Sequence, residues 1–179
     1  MTIQKIVRMG NPTLRQVAIP YPVDEIGSPA FQTLIQDMQD TLHAYGGIGL
    51  AAPQMGVSYQ VIVIEIGNTS TRYGELDQVS FSVFVNPAVS VADETTAGYW
   101  EGCLSLPGFM GYVDRPQHIQ VNCLDEKGNT LSVEYEGFLS TVFQHEFDHL
   151  MGKLYIDRMK DLTQFSFDEE YQKFHADSS

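Results

Sequence analysis

Apolar residues recur at helical spacing through Phe31, Leu34, Ile35, Met38 and Leu42, between Ser28-Pro29 and Gly46-Gly47. A serine N-cap, a proline in the first turn and a glycine stop predict a helix that packs by one stripe. Val61-Ile62-Val63-Ile64 is β-branched throughout and predicts a buried strand. Phe81-Ser82-Val83-Phe84-Val85 predicts another, which Asn86-Pro87 should end. From His118, the alternation of Ile119, Val121 and Cys123 predicts a half-buried strand. Glu126-Lys127-Gly128-Asn129 reads as a turn and Leu131, Val133 and Tyr135 as the returning arm of a β-hairpin. After Gly137, the positions Phe138, Leu139, Val142, Phe143, Phe147 and Leu150 are too dense for a surface helix, and Gly152 is a plausible stop. This predicts a second helix running through the core. Strands gathered around two helices, without strict alternation of strand and helix, indicate an α+β fold.

Composition narrows the class. A chain of 179 residues, 43% hydrophobic and 18% charged, fits one globular domain spanning residues 1–179, and excludes disordered and fibrous proteins. No window approaches the roughly 20 apolar residues of a membrane span, and the first 20 residues hold no apolar signal core, so a soluble cytoplasmic protein is expected. The net charge is −13, and residues 90–179 hold sixteen acidic side chains against six Lys/Arg. Direct nucleic-acid binding and membrane binding are therefore not expected. Cys103 and Cys123 are too few for a disulfide framework, which leaves a thiolate free for chemistry. The stretch from Gly67 to Gln78 reads as an exposed loop.

The second helix carries Gln144-His145-Glu146-Phe147-Asp148-His149, a His-Glu-x-x-His sequence. Imidazoles four residues apart share a helix face and can reach one metal ion, while Glu146 can point toward that metal's solvent ligand. Burying these groups without a partner would be costly, which favours a metal over a merely polar helix face. Two histidines leave a catalytic site one protein ligand short. Extension to a third histidine fails, because Tyr155 occupies its place. Glu169, 20 residues beyond His149, fits the spacing of a metallopeptidase ligand but lies in an acidic, polar tail. Cys103, in Trp100-Glu101-Gly102-Cys103-Leu104-Ser105-Leu106-Pro107, is the other candidate.

Three segments taken together resemble the signature motifs of the peptide deformylases: Gly47-Ile48-Gly49-Leu50-Ala51-Ala52-Pro53-Gln54, Glu101-Gly102-Cys103-Leu104-Ser105 and Gln144-His145-Glu146-Phe147-Asp148-His149. Their order and spacing match, and the likeness continues through Asn86-Pro87, Val113-Asp114-Arg115-Pro116 and Leu154-Tyr155-Ile156-Asp157. The resemblance implies mixed or antiparallel sheets around a central metal-binding helix. It implies an enzyme that removes the formyl group from the formyl-methionine of nascent chains. It also implies Cys103, His145 and His149 as ligands, with water in the fourth position. Fe2+ is the implied metal, with Zn2+, Ni2+ or Co2+ able to substitute. Cys123 is then the core cysteine. The rival readings are a metallopeptidase with Glu169 as third ligand and a non-catalytic metal- or peptide-binding relative.

The same resemblance gives Glu146 the role of general base and then acid, with the Gln54 amide and the Leu104 backbone N–H as oxyanion donors. Gly47 and Gly49 permit close backbone approach, so a peptide can pair there with the main chain. By helical spacing, Phe138, Thr141 and Val142, with Ile48 opposite, are candidates to line the methionine pocket. Asp148, Arg115 and Glu101 are candidates to support the ligands, their pairing left open. The chain departs from many family members in having Ser140-Thr141 for Ala-Arg and from some in having Met110 for a basic residue. Some members dock on the ribosome through a basic C-terminal helix. From Thr163 to Ser179 this chain holds one lysine and four acidic residues, so weak ribosome association is expected.

Overall fold

The computed structural model describes residues 2–67 and 78–176. Helix α1 (Pro29–Tyr45) begins as its sequence directs, with the Ser28 hydroxyl accepting the Phe31 N–H at 3.2 Å. It ends where Gly46 turns left-handed, at φ 66°. Five strands then hydrogen-bond in chain order: β1 (Gly49–Ala51), β2 (Val61–Ile66), β3 (Val79–Cys103), β4 (Leu106–Leu124) and β5 (Thr130–Glu136). Every pair is antiparallel, and β1 and β5 are the two ends of this order. The strands join into one sheet rather than several.

The unbroken apolar run of β2 has a simple cause. Val61 and Val63 face a cluster with Phe31, Met38 and Leu42 of α1, whereas Ile62 and Ile64 face a second cluster with Phe84, Ile119 and Val121. The second cluster is completed by helix α2 (Gly137–Leu150), which contributes Val142, Phe143 and Leu150. A strand covered on both faces needs no polar side. Phe143 is fully buried, edge-on to Phe84 at 5.1 Å and stacked on Tyr135 at 5.6 Å.

Asn86-Pro87 does not end its strand. β3, 25 residues long in all, runs through it, its register against β4 shifting between Val85 and Ala88. Asn86 takes φ 51°, and its side chain accepts the Tyr21 N–H at 2.7 Å and donates to the Tyr21 carbonyl at 2.9 Å. The bulge thus accommodates a proline that has no N–H to offer the ladder. Beyond it, residues 90–96 are exposed, Val91 included, so apolar alternation does not reveal this stretch of β3.

The C-terminal segment forms a strand and a short helix, with its acidic residues Glu169 and Glu170 exposed to solvent. Strand β6 (Phe165–Phe167) pairs with β4 at Phe109–Gly111, and the short helix α3 (Asp168–Phe174) buries Tyr171 against Trp100 at 5.0 Å. The loop expected from Gly67 to Gln78 falls mostly outside the described residues; its two ends are exposed. No helix among the described residues is long and apolar enough to cross a membrane.

Deleting the Phe143 ring leaves a cavity between α2 and the sheet. Phe143→Ala is expected to cost about 3–5 kcal/mol in urea unfolding. Leu162→Ala, at a side chain 76% exposed, should stay within about 0.5 kcal/mol of the parent.

Candidate metal centre

Three elements meet at the middle of α2. Cys103 ends β3 in the tight turn to β4, and His145 and His149 project from one face of α2. Their ligand atoms all lie within 4.8 Å of one another, with Cys103 Sγ and His149 Nε2 3.4 Å apart. Donors at metal-bond length around one tetrahedral ion stand roughly 3.5 Å from each other, so the group fits such an ion. His145 Nδ1 is engaged by Glu101 Oε2 at 2.7 Å, which leaves Nε2 for the metal.

Glu101 is itself held. Arg115 donates to its Oε1 through Nε at 2.6 Å and to its Oε2 through Nη2 at 3.0 Å, then reaches Asp148 Oδ2 through Nη1 at 2.8 Å. Arg158 closes the chain on the far side of Asp148, its Nη2 2.5 Å from Oδ1. The order His145, Glu101, Arg115, Asp148, Arg158 supplies the pairing that spacing leaves open. Ser105, in the quoted Cys103 motif but given no role there, is a further member: it is fully buried, and its hydroxyl accepts from Gln54 Nε2 at 3.3 Å.

Gln54 is 1% exposed, in a single 3-10 turn (Ala52–Met55) after β1. Its Oε1 accepts the Ala51 N–H at 2.9 Å, and its Nε2 also lies 3.6 Å from Cys103 Sγ. Leu104, half-buried, follows Cys103 in the turn. Glu146 is buried against Gly49: a Cβ there would stand 2.5 Å from Glu146 Oε1. Glycine at that point leaves the room that the Glu146 carboxylate occupies. Glu146 Oε2 and His149 Nδ1 are buried and have no hydrogen-bond partner among the described residues.

The electrostatics divide the carboxylates. Burial would raise the Glu101 and Asp148 carboxyls, but arginine contacts outweigh it and hold both below the usual range. Burial dominates at Glu146 and raises its carboxyl. At Cys103, burial disfavours the thiolate, yet His149 and His145 beside it bring the thiol well below its ordinary value. His145 is correspondingly raised by Cys103 and Glu101 against its own desolvation. A thiolate whose charge is balanced by a neighbouring imidazolium proton is prepared to exchange that proton for a metal ion.

The residues expected around the methionine side chain are partly gathered. Val142 is buried in the second core cluster, with half-buried Ile48 and Phe138 packed on it. Thr141 is buried and takes a hydrogen bond from Gln117 at 3.4 Å; Phe138 lies edge-on to Tyr99 at 5.3 Å. Glu169 is exposed on α3 and is not part of the Cys-His-His group.

The sequence matches the polypeptide deformylase family model over residues 3–165. It is 39% identical to a peptide deformylase of Leptospira biflexa over 170 residues, 95% of each chain. It is 42% identical to peptide deformylase 1 of Nitrosomonas europaea over 165 residues, 92% of each chain. Among solved structures, the Met-Ala-Ser-bound class I type b peptide deformylase of Acinetobacter baumannii superposes with TM-score 0.85 at 30% identity, covering 88% of this chain and 99% of that one. With the cysteine, the two histidines and the buried glutamate assembled on one helix and one turn, the chain belongs to the polypeptide deformylase family.

Proposed function

We propose that this chain, a metal-dependent hydrolase that removes the formyl group from N-terminal formyl-methionine and releases formate, uses Cys103, His145 and His149 as ligands and Glu146 as its acid-base group. One catalytic domain, residues 1–179, carries the reaction. The observation that carries this reading is the buried Cys-His-His group beside a carboxylate oxygen, Glu146 Oε2, that has no hydrogen-bond partner among the described residues. Fe2+ is the assigned ion, and Zn2+, Ni2+ or Co2+ suit the same thiolate and imidazoles. When bound, the ion supplies a Lewis acid and makes a water acidic at neutral pH.

Glu146 accepts a proton from the attacking water; its burial, which raises the carboxyl, makes it a stronger base. It then delivers the proton to the amine nitrogen as the C–N bond breaks. The Gln54 Nε2, fixed by the Ala51 N–H on Oε1, and the Leu104 N–H hydrogen-bond the oxygen that gains charge. The outer edge of β1 offers Gly49 and its neighbours to an extended peptide, as strand addition requires. The methionine side chain enters among Ile48, Phe138, Thr141 and Val142. The Acinetobacter baumannii relative that holds Met-Ala-Ser supports a peptide of this kind.

The substrate is the nascent chain, the compartment is the bacterial-type cytoplasm, and contact with the ribosome is weak. The acidic C-terminal segment, folded onto Trp100 through Tyr171, supports that last point.

Protein loaded anaerobically with Fe2+ should release formate from a formyl-Met peptide. Glu146→Gln should keep its metal and lose about 10²- to 10⁴-fold in kcat; loss of metal with unchanged turnover per bound ion would remove Glu146 from the mechanism. Metal content decides the third ligand. Cys103→Ser should lose the ion and Glu169→Gln should retain it, and the reverse pattern would favour a metallopeptidase. In cosedimentation at physiological salt, the protein should remain largely in the supernatant. Pelleting with ribosomes as fully as a basic-tailed relative would contradict the weak-contact reading.

A further inference from the structure

A cavity of about 340 Å³ opens beside the metal centre, with Cys103 and Leu104 on its inner wall. Its outer wall brings in Lys5 and Arg8 from the N-terminal segment, Tyr45 from the end of α1 and Asp168 from the start of α3. The two basic residues are placed by backbone: the Val7 N–H bonds the Gln54 carbonyl and the Met9 N–H the Ser105 carbonyl, each at 2.8 Å. The residues that flank the oxyanion donors therefore also fix where Lys5 and Arg8 stand.

Arg15, Arg115, Arg158, Lys160 and Lys173 each pair with a carboxylate. Lys5 and Arg8 have no ion pair among the described residues, although the chain carries a net charge of −13. Lys127 and Lys153 also form no ion pair among the described residues, so what distinguishes this wall is that it gathers two such cations at one cavity. Asp168, the one acidic residue of the wall, offsets only one of them. Two cations against one carboxylate leave a net positive charge at the cavity, which attracts an anion of suitable size. The cavity reaches Tyr45, four positions before Gly49, where the peptide main chain is placed above.

We infer that this cavity receives an acidic side chain from the residues that follow the formyl-methionine, so that substrates with an early Asp or Glu are deformylated faster than their neutral counterparts. The inference rests on the deformylase reading and adds a substrate preference to it. The same carboxylate chemistry could come from the C-terminus of a short peptide, so the test uses C-terminally amidated substrates alongside free acids.

The measurement is kcat/KM for amidated formyl-Met peptides carrying Glu or Gln in turn at the second, third and fourth positions. The expected Glu-to-Gln ratio is about two to five at one of these positions, the size of an exposed charge contact, and it should shrink as salt is raised. Replacing both cations, Lys5→Gln with Arg8→Gln, should bring the ratio to one. Asp168→Asn should raise it, a change of opposite sign that loss of folding cannot imitate. A ratio of one or below in the parent, or one that survives the double replacement, overturns the inference. So does a preference for free acids over amides without any preference for Glu, which would assign the cavity to a chain terminus. Absence of formate release from every peptide would overturn the activity itself and the inference with it, whereas turnover blind to charge overturns the inference alone.

Discussion

Arg115 lies between two buried carboxylates and is itself buried, and the geometry of the metal centre depends on that arrangement. Taking three charges out of water costs several kcal/mol per ion, an outlay recovered only when the charges meet with good geometry and spare hydrogen-bonding capacity is used. Here the guanidinium spends three of its donor groups on Glu101 and Asp148. The result ties β3, β4 and α2 together by charge at the level of the ligands. It also sets the His145 ring, because the Glu101 oxygen that receives Arg115 Nη2 is the one that engages His145 Nδ1. An isosteric neutral side chain at position 115 would leave two carboxylates buried without a counter-charge. The hydrophobic clusters on either side of the sheet hold the helix near the strands, but this ionic chain sets its rotation and depth.

The same arrangement explains how three buried carboxylates within one small region hold different protonation preferences. Glu101 and Asp148 have arginine partners and favour the charged form. Glu146 has none; it rests on the bare backbone of Gly49, and desolvation makes it hold a proton more readily. Environment thus separates positioning carboxylates from the one able to shuttle a proton. Gln54 is governed by a similar division within one side chain. Its oxygen is used locally, by the Ala51 N–H, so its NH2 faces the thiolate and Ser105.

Much of this was legible in the sequence wherever a periodic apolar pattern or a fixed motif spacing existed. Helix α1 with its Ser28 cap, the β4–β5 hairpin and the core helix α2 all follow from periodicity, because each buries one or both faces. The ligands Cys103, His145 and His149 follow from motif and resemblance, and the structure brings them together. Asn86-Pro87 misleads because the residues that end strands also make bulges, and only the distant Tyr21 backbone decides between them. Residues 90–96 of β3 are all exposed, so that stretch has no buried face to impose an alternation. The tail's order comes from Tyr171 meeting Trp100, a contact between residues far apart in sequence. The N-terminal segment left no trace of its role, because its part in the site is made by the backbone hydrogen bonds of Val7 and Met9, which composition does not encode.

Those backbone bonds bear on how the protein is made. Val7 is held by Gln54 and Met9 by Ser105, while the last ligand is His149. The centre therefore draws on residues spread from position 7 to position 149, and nearly all its contacts are distant along the chain. Assembly of such a centre is slow relative to local helix formation, since loop closure must precede the contacts that reward it. During synthesis the N-terminal segment must wait until most of the chain has emerged before its partners exist together. Metal capture is then a late event coupled to completion of the fold, and an ion bound by the finished centre but not by the unfinished chain would draw the final steps forward by mass action.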